Sequence, residues 1–267
     1  MIKDITLGQY FPGESVIHKL DPRIKIILTL MYIAALFMIK NFTGYLLFAA
    51  FTFQLIFIST VPIQYVFKGL KPLAFIIIFT ALINMFMSGG RPLFVLGPLT
   101  ATVEGLQMAV LMTLRLLFLI IGTSLLTFTT SPILLTDGIE KLLNPFKKIG
   151  IPAHELAMMM TIALRFIPTL LEETDKIMKA QMARGADFES GNLLKRAKGL
   201  VPLLVPLFIS AFRRADELAI AMESRCYRGG DQRTRMKQLK LYNRDFIAIA
   251  VVIILMVVLF LVRELRY

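Results

Sequence analysis

Long apolar runs, nearly free of charged residues, dominate the chain and alternate with short polar segments. Each of five such runs approaches the roughly 20 residues that a helix needs to cross about 30 Å of hydrocarbon. The runs lack the strict alternation of outer-membrane barrel strands, so a barrel is excluded. The predicted spans are Ile26–Ile39, Phe42–Thr60, Pro72–Gly89, Gly105–Phe128 and Phe246–Val262. The pattern predicts an all-α, polytopic membrane protein with about five transmembrane helices.

The charged residues are concentrated in one segment between the fourth and fifth spans. Residues 131–245 hold 19 of the 30 basic and 13 of the 18 acidic residues. Such a segment must lie in water or at the membrane surface, because buried unpaired charges are costly. We therefore divide the chain into residues 1–130, a tail with four spans; 131–245, helices at or outside the membrane surface; and 246–267, a last span.

Overall composition agrees with a membrane protein. The chain is 57% hydrophobic and 18% charged, with a mean hydropathy of +0.71, whereas soluble domains carry about 25% charged residues. The net charge of +12 does not indicate nucleic acid here, since a basic excess in an apolar protein more often reflects membrane topology. One cysteine excludes an internal disulfide, and with two histidines it argues against a zinc site.

The basic residues also predict the orientation of the chain. With the N-terminus inside, 25 basic residues lie on the inner side, four outside and one, Arg115, within a span. Basic residues favour the cytoplasmic side, and the short loops agree with the large segment. We therefore expect the N-terminus and residues 131–245 to be cytoplasmic.

The spans lack the groups that a self-powered transporter usually needs. No Asp or Glu lies near a span centre, and the chain has no phosphate-binding loop or nucleophile elbow. Arg115 has two interpretations: a partner for a lipid headgroup or another subunit, or a snorkelling residue or contact satisfied inside the bundle. If the protein moves a substrate against a gradient, a partner must supply the energy.

Three helices are predicted within the charged segment: Pro132–Lys148 after a Ser131 cap, a second from Pro152–Glu155 to Arg184, and a third from Gly191–Leu193 to about Arg225. The uncharged stretch Gly199–Phe212 in the third is 14 residues long. That is too short for a span, so we interpret it as buried or interfacial.

The ends of the second and third helices resemble each other at a constant offset of 41 residues. The shared frame begins at Asp175 and Asp216, which we regard as supporting residues. It ends in two tripeptides that place an arginine between small residues: Ala183, Arg184, Gly185 and Ser224, Arg225, Cys226.

A single arginine at a helix C-terminus is explained by capping, because cations are stabilising there. Two in matching frames favour a docking role. Small neighbours allow a close approach of another chain, and the guanidinium suits carboxylates. At the third position we expect a left-handed backbone, which Gly185 adopts freely and Cys226 does not.

These residues resemble the transmembrane T component of energy-coupling factor (ECF) transporters over nearly the whole chain. The resemblance rests on Leu20-Asp21-Pro22-Arg23, on the apolar N-terminal half, and on the Ala-Arg-Gly tripeptide at 183–185 followed by Asp187. The second tripeptide departs from the usual Ala-Arg-Gly, although its arginine is present.

The resemblance implies a non-catalytic scaffold without a cofactor. Its partners would be two ABC-type ATPases, identical or different, a substrate-binding S component and the lipid bilayer, but no nucleic acid. Arg184 and Arg225 would each engage one ATPase, and the second and third helices would be coupling helices of a cytoplasmic segment that supports the S component. Met158, Met159 and Met160 fit either a multi-partner surface or simple packing. The resemblance also implies a bacterial or archaeal cell membrane. The substrate that the S component binds would be a vitamin or a transition-metal ion, and the length of the chain favours the vitamin type.

Two other function classes are disfavoured by the sequence. A self-sufficient channel or secondary carrier is disfavoured by the missing acids near the span centres and by the large charged segment. A membrane enzyme is disfavoured because the sequence holds no constellation of acid, base and nucleophile.

Overall fold

Helices form almost the whole of the computed structural model, which describes residues 10–96, 99–186, 188, 192–229 and 238–264. The all-α prediction is confirmed. In chain order the elements are α1 Pro22–Met38, α2 Phe42–Ser59, α3 Ile63–Leu70, α4 Ala74–Met87, β1 Pro92–Leu96, β2 Leu99–Thr102, α5 Val103–Thr129, α6 Pro132–Leu143, α7 Ala153–Ala183, α8 Leu193–Glu223 and α9 Asn243–Glu264. Two 3₁₀ turns, Lys71–Leu73 and Asn144–Ile149, follow α3 and α6.

Five helical segments are long and apolar enough to cross a membrane, the predicted number, within the ranges that the structure describes. They are Phe42–Ser59, Ile63–Met87, Val103–Thr129, Ala153–Ala183 and Asn243–Glu264. Four match predicted spans, whereas the fourth of this series is α7. The first predicted span corresponds to α1, whose 17 residues extend about 26 Å, slightly less than the hydrocarbon thickness.

Two local features differ from the sequence prediction. The third span begins nine residues early, because α3 leads through the 3₁₀ turn at Pro72 into α4. A short antiparallel ladder of β1 and β2, pairing Pro92 with Thr102, precedes α5 and was not predicted. Strands of four and five residues are too short to give a readable alternation.

Side-chain caps begin three of the helices. The Asp21 carboxylate accepts the Arg23 backbone N–H at 2.9 Å, with Pro22 in the first position of α1. The Thr102 hydroxyl accepts the Gly105 N–H at 3.0 Å before α5. The predicted Ser131 cap is confirmed by a longer bond of 3.4 Å from the Leu134 N–H.

The largest buried cluster joins α1, α2, α5 and α9, which we call the bundle. Tyr32 and Phe48 are packed with their ring centroids 4.6 Å apart, and Phe118 meets Phe48 edge-on at 5.6 Å. The Tyr32 hydroxyl donates to the Phe118 carbonyl at 3.1 Å and shares a 3.0 Å bond with Thr52. Gly122 permits this packing, since the Tyr32 ring occupies the space that a Cβ would need.

Arg115 is satisfied inside the bundle. Its guanidinium donates to the Tyr45 hydroxyl and to the Ile39 carbonyl, both at 3.2 Å, and lies 5.5 Å from the Phe37 ring centroid. The carbonyl of Ile39 follows the end of α1, where a cation is favoured. Of the two interpretations of Arg115, the contact within the bundle is therefore the one observed.

The Leu20-Asp21-Pro22-Arg23 segment ties the start of α1 to the start of α9. Asp245, 1% exposed, accepts the Asp21 backbone N–H at 2.9 Å. Arg23 closes this network with a 2.9 Å ion pair to Asp21. The preceding turn holds His18, whose pKa is lowered by burial despite a 3.0 Å bond from its ring to the Phe11 carbonyl. The ring is therefore neutral at pH 7.

The described residues form two compact units. One contains residues 10–138 and 238–264, which include the bundle, α3, α4 and the strands. The other contains residues 139–229, with α7, α8 and the end of α6. The division of the chain into residues 1–130, 131–245 and 246–267 stays a prediction.

Candidate functional site: the ends of α7 and α8

Helices α7 and α8 pair antiparallel over most of their length, and we call them the helical hairpin. Three contacts define the register. The Tyr227 hydroxyl donates to the Met158 sulfur at 3.1 Å, the Glu173 carboxylate meets Arg214, and the Gln181 amide donates to the Pro202 carbonyl at 3.5 Å. Residues further along α7 thus contact residues earlier in α8, as expected for antiparallel helices.

An ion pair lies at the middle of this hairpin. The Arg214 guanidinium contacts the Glu173 carboxylate at 3.0 Å, and the Ser210 hydroxyl donates to the other carboxylate oxygen. Glu173 and Arg214 are 41 residues apart, the offset that relates the two arginine tripeptides. This pair was not predicted from the sequence, although opposite charges at one position of a repeated frame could have indicated it.

The backbone hydrogen bonds at the two helix ends repeat at the same offset. Gly185 N–H donates to the Met182 carbonyl and Ala186 N–H to the Gln181 carbonyl, both at 3.0 Å. At the end of α8, Cys226 N–H donates to Glu223 at 2.8 Å and Tyr227 N–H to Met222 at 3.0 Å. Bonds of this type form a Schellman motif, which satisfies the last carbonyls of a helix.

Both motifs place the residue after the arginine in the left-handed region. Gly185 has φ 87°, and Cys226 has φ 57°. The conformation expected at these two positions is confirmed. It costs a residue with a Cβ roughly 1–2 kcal/mol, whereas glycine adopts it without a steric penalty. The end of α8 is therefore strained where the end of α7 is relaxed.

Both arginine tripeptides project into solvent. All six residues are exposed: Ala183, Arg184, Gly185, Ser224, Arg225 and Cys226. Within the described residues neither Arg184 nor Arg225 has an ion pair or a side-chain hydrogen bond. The C-terminal end of each helix therefore carries one guanidinium group, and the donors of that group remain free for an external acceptor.

The two supporting residues do not contact these arginines. Asp175 forms a 2.7 Å ion pair with Lys179 on the same helix face, and Asp216 is exposed. Asp187, part of the first tripeptide's resemblance, lies outside the described residues.

Each arginine lies eleven residues beyond the Glu173–Arg214 ion pair, or about 17 Å along its helix. Because the helices are antiparallel, Arg184 and Arg225 lie on opposite sides of that pair. The structure therefore does not bring them together into one site. It presents two separate arginine ends on a common support.

Apolar side chains along the hairpin are also exposed. In α8 they include Val205, Phe208 and Phe212, whose exposed fractions are 53%, 60% and 69%. For Gly199–Phe212 the buried alternative is therefore wrong for most positions, although Leu203 is 5% exposed. Met159 and Met160 of α7 are exposed too, near the end that carries Arg225.

No group of three or more His, Cys, Asp or Glu side chains that could hold a metal ion occurs in the described part of the chain. The described residues at the helix ends carry charge and a defined backbone shape, and they include no catalytic constellation.

Comparison with known proteins shows which family the chain resembles. The family model CbiQ, described as Cobalt transport protein, matches residues 13–236. The chain is 65% identical over 265 residues to the energy-coupling factor transporter transmembrane protein EcfT of Clostridium kluyveri, covering 98% of each chain. It is 62% identical to the EcfT of Thermosediminibacter oceani, over 92% of this chain and 93% of that protein. The EcfT of Bacillus subtilis is 48% identical over 98% of this chain and its own full length.

Proposed function

We propose a coupling role for this chain, which belongs to the CbiQ family and is the multi-pass transmembrane component of an energy-coupling factor transporter. In this role the ends of α7 and α8 couple ATP hydrolysis by two partner ATPases to import. Arg184 would engage one ATPase and Arg225 the other. The chain itself would catalyse no reaction.

One observation carries this proposal: the same backbone hydrogen bonds and the same exposed arginine recur at two helix ends, 41 residues apart. An arginine that only capped its own helix would not require a partner's approach, and the small residue before it would be unnecessary. Two equivalent ends suit two ATPase subunits, each of which presents acidic side chains to one guanidinium.

The Glu173–Arg214 ion pair supports transmission between these ends. It holds the helices at a point equally distant in sequence from Arg184 and Arg225. When ATP binding changes the separation of the two ATPases, the ends of α7 and α8 would move together, because the ion pair links the two helices at this point. The exposed apolar residues of α8, among them Phe208 and Phe212, would support the S component and re-orient it.

The proposed orientation places the N-terminus and residues 131–245 in the cytoplasm. The structure supports a common side for several helix ends, since Asp21 at the start of α1 bonds Asp245 at the start of α9, and Lys25 bonds Thr129 at the end of α5. The charge bias assigns that side to the cytoplasm. We further propose that the imported substrate is a vitamin, bound by the S component.

The test is co-expression of the chain with the ATPases and an S component. We expect Arg184→Ala with Arg225→Ala to abolish vitamin uptake and to weaken ATPase retention about thirtyfold or more, because each change leaves a desolvated partner carboxylate unpaired. The matched control is Arg165→Ala with Arg213→Ala, two exposed arginines on the same helices outside the tripeptides. Full uptake by the first double variant, with normal membrane insertion, would show that docking occurs elsewhere.

A second measurement separates the coupling role from a self-sufficient channel or carrier. The chain alone, reconstituted in liposomes, should not transport the vitamin with or without an ion gradient. Transport by the chain alone would overturn the proposal.

A further inference from the structure

A cavity of about 230 Å³ lies within the bundle. Residues from α1, α2, α5 and α9 line it, and the turn that precedes α1 covers one end. Most of its wall is aliphatic or aromatic. The hydroxyl groups that line it are already bonded: Tyr32 and Thr52 to each other at 3.0 Å, and Thr29 and Thr129 to backbone carbonyls at 2.8 Å.

The polar end of this cavity carries two cations. Lys25 and Arg244 both line it, near the starts of α1 and α9. Lys25, 5% exposed, donates to three neutral oxygens, those of His18, Thr129 and Thr130, at 2.8–3.2 Å. Its positive charge is therefore solvated by dipoles without a carboxylate at ion-pair distance in the described structure.

Arg244 has unused donor capacity. Its guanidinium lies 4.8 Å from the Tyr242 ring centroid, and its Nε atom is buried without a hydrogen-bond partner among the described residues. A buried donor of this kind costs free energy unless something accepts from it. The unpaired Nε thus points to an acceptor that the chain itself does not supply.

The acidic side chains nearby are already engaged. Asp245 accepts from the backbone N–H groups of Asp21 and Tyr242, at 2.9 and 2.7 Å, and Asp21 pairs with Arg23. Neither acid lines the cavity. The polar end therefore presents positive charge, and none of the described residues that line it is an acid that could receive a choline or an ethanolamine.

The cavity lining reaches the protein surface on α2 and α9, and also at Val16 of the turn before α1. Of its lining, Ile58 of α2 and Ile247 and Val251 of α9 are exposed by 42%, 64% and 45%. These are apolar side chains on two helices of membrane-spanning length. An occupant that enters here comes from the hydrocarbon of the bilayer and not from water.

We propose that this cavity binds one acyl chain of a phospholipid with an anionic headgroup, whose phosphate lies between Lys25 and Arg244. The apolar wall takes the chain, the exposed lining on α2 and α9 admits it from the bilayer, and the phosphate oxygens accept from the Arg244 Nε. Anionic lipids are attracted to basic residues at the inner surface, and the carboxyl-free wall adds selectivity over zwitterionic lipids.

The test uses the full chain in lipid nanodiscs with a trace of phosphatidylglycerol that carries a diazirine in its acyl chain, and in parallel the same label on phosphatidylcholine. We expect adducts to map to the cavity lining of α2 and α9, with phosphatidylglycerol preferred. Arg244→Gln should lower this preference about fivefold. The matched control is Arg263→Gln in the last turn of the same helix, which should leave it unchanged.

Two further measurements keep the outcome decisive. Ala248→Phe, which fills the cavity without changing its charge, should remove the adducts of both lipids. Added inorganic phosphate should not compete; competition by phosphate alone would identify a soluble anion site and overturn the proposal. Equal labelling by both lipids, adducts spread evenly over the helices, or an unchanged preference in a folded Arg244→Gln protein would also overturn it.

Discussion

The bundle and the helical hairpin are stabilised by different kinds of contact. The bundle buries large side chains, with Phe48 at 0% and Phe118 at 6% exposure. In the hairpin, the buried hydrophobic side chains among those described are Ala153, Ala157 and Leu203. The contacts that define the register of its two helices are polar, and they include the Glu173–Arg214 ion pair.

This difference indicates how the chain could divide the two tasks of the proposed coupling role. A close-packed aromatic core has one well-defined arrangement and resists deformation. Two helices joined by a few polar contacts leave their apolar sides and both ends available to other proteins. The bundle therefore suits a fixed anchor in the membrane, and the hairpin suits the moving part of the proposed transporter.

The largest expected effect comes from breaking the packing of the bundle. Phe48→Ala removes a fully buried ring and should cost about 3–5 kcal/mol in the free energy of unfolding. Phe57→Ala on the same helix is the matched control, since its side chain is 89% exposed and should cost little. Thermal unfolding of the two purified variants measures the difference, and equal losses would refute the packing assignment.

A smaller effect is expected from breaking the ion pair of the hairpin. Arg214→Met should cost on the order of 1 kcal/mol, since the pair is partly exposed, but should strongly reduce coupled uptake. The reversed pair, Glu173→Arg with Arg214→Glu, should restore much of the uptake.

Lys179→Ala is the control for this experiment. It removes an exposed pair within one helix, so uptake should be nearly unchanged. If Arg214→Met and Lys179→Ala behaved alike in the uptake assay, the ion pair would not link the two helices functionally.

The smallest effect tests the strain at the end of α8. Cys226→Gly should stabilise that end by about 0.5–1 kcal/mol, because glycine adopts φ 57° without a Cβ clash. Gly185→Ala should destabilise the end of α7 by a similar amount.

Hydrogen exchange of two amides reports on these changes: Tyr227, bonded to Met222, and Ala186, bonded to Gln181. Ser224→Gly is the control, since Ser224 has an ordinary φ of −65° and should gain no protection. Faster exchange of Tyr227 in Cys226→Gly would contradict the assignment of strain.

Much of the fold was readable from the sequence, and the failures have physical causes. The ends of α2 and α5 were predicted within two residues, because a long apolar run bounded by polar residues delimits a span sharply. Helix α7 is apolar enough to count as a span by length and composition, because its residues 156–171 include a single charged residue, Arg165. The strand pair before α5 left no readable signal.

The candidate site was predicted in its parts but not in its arrangement. The 41-residue frame identified Arg184 and Arg225, and the turn that follows each arginine has the expected left-handed residue. Neither the antiparallel register nor the Glu173–Arg214 contact followed from the frame, since a sequence offset does not say which helix faces meet.

The sequence by itself determined that the chain is helical, where most spans lie, and which two helix ends carry an exposed arginine. These properties depend on local composition and on spacing along a single helix. Only the tertiary structure decided that Arg115 is satisfied inside the bundle, that Glu173 pairs with Arg214, and that Lys25 and Arg244 share one cavity. Each of these joins residues at least 41 positions apart, and such contacts depend on how whole helices pack.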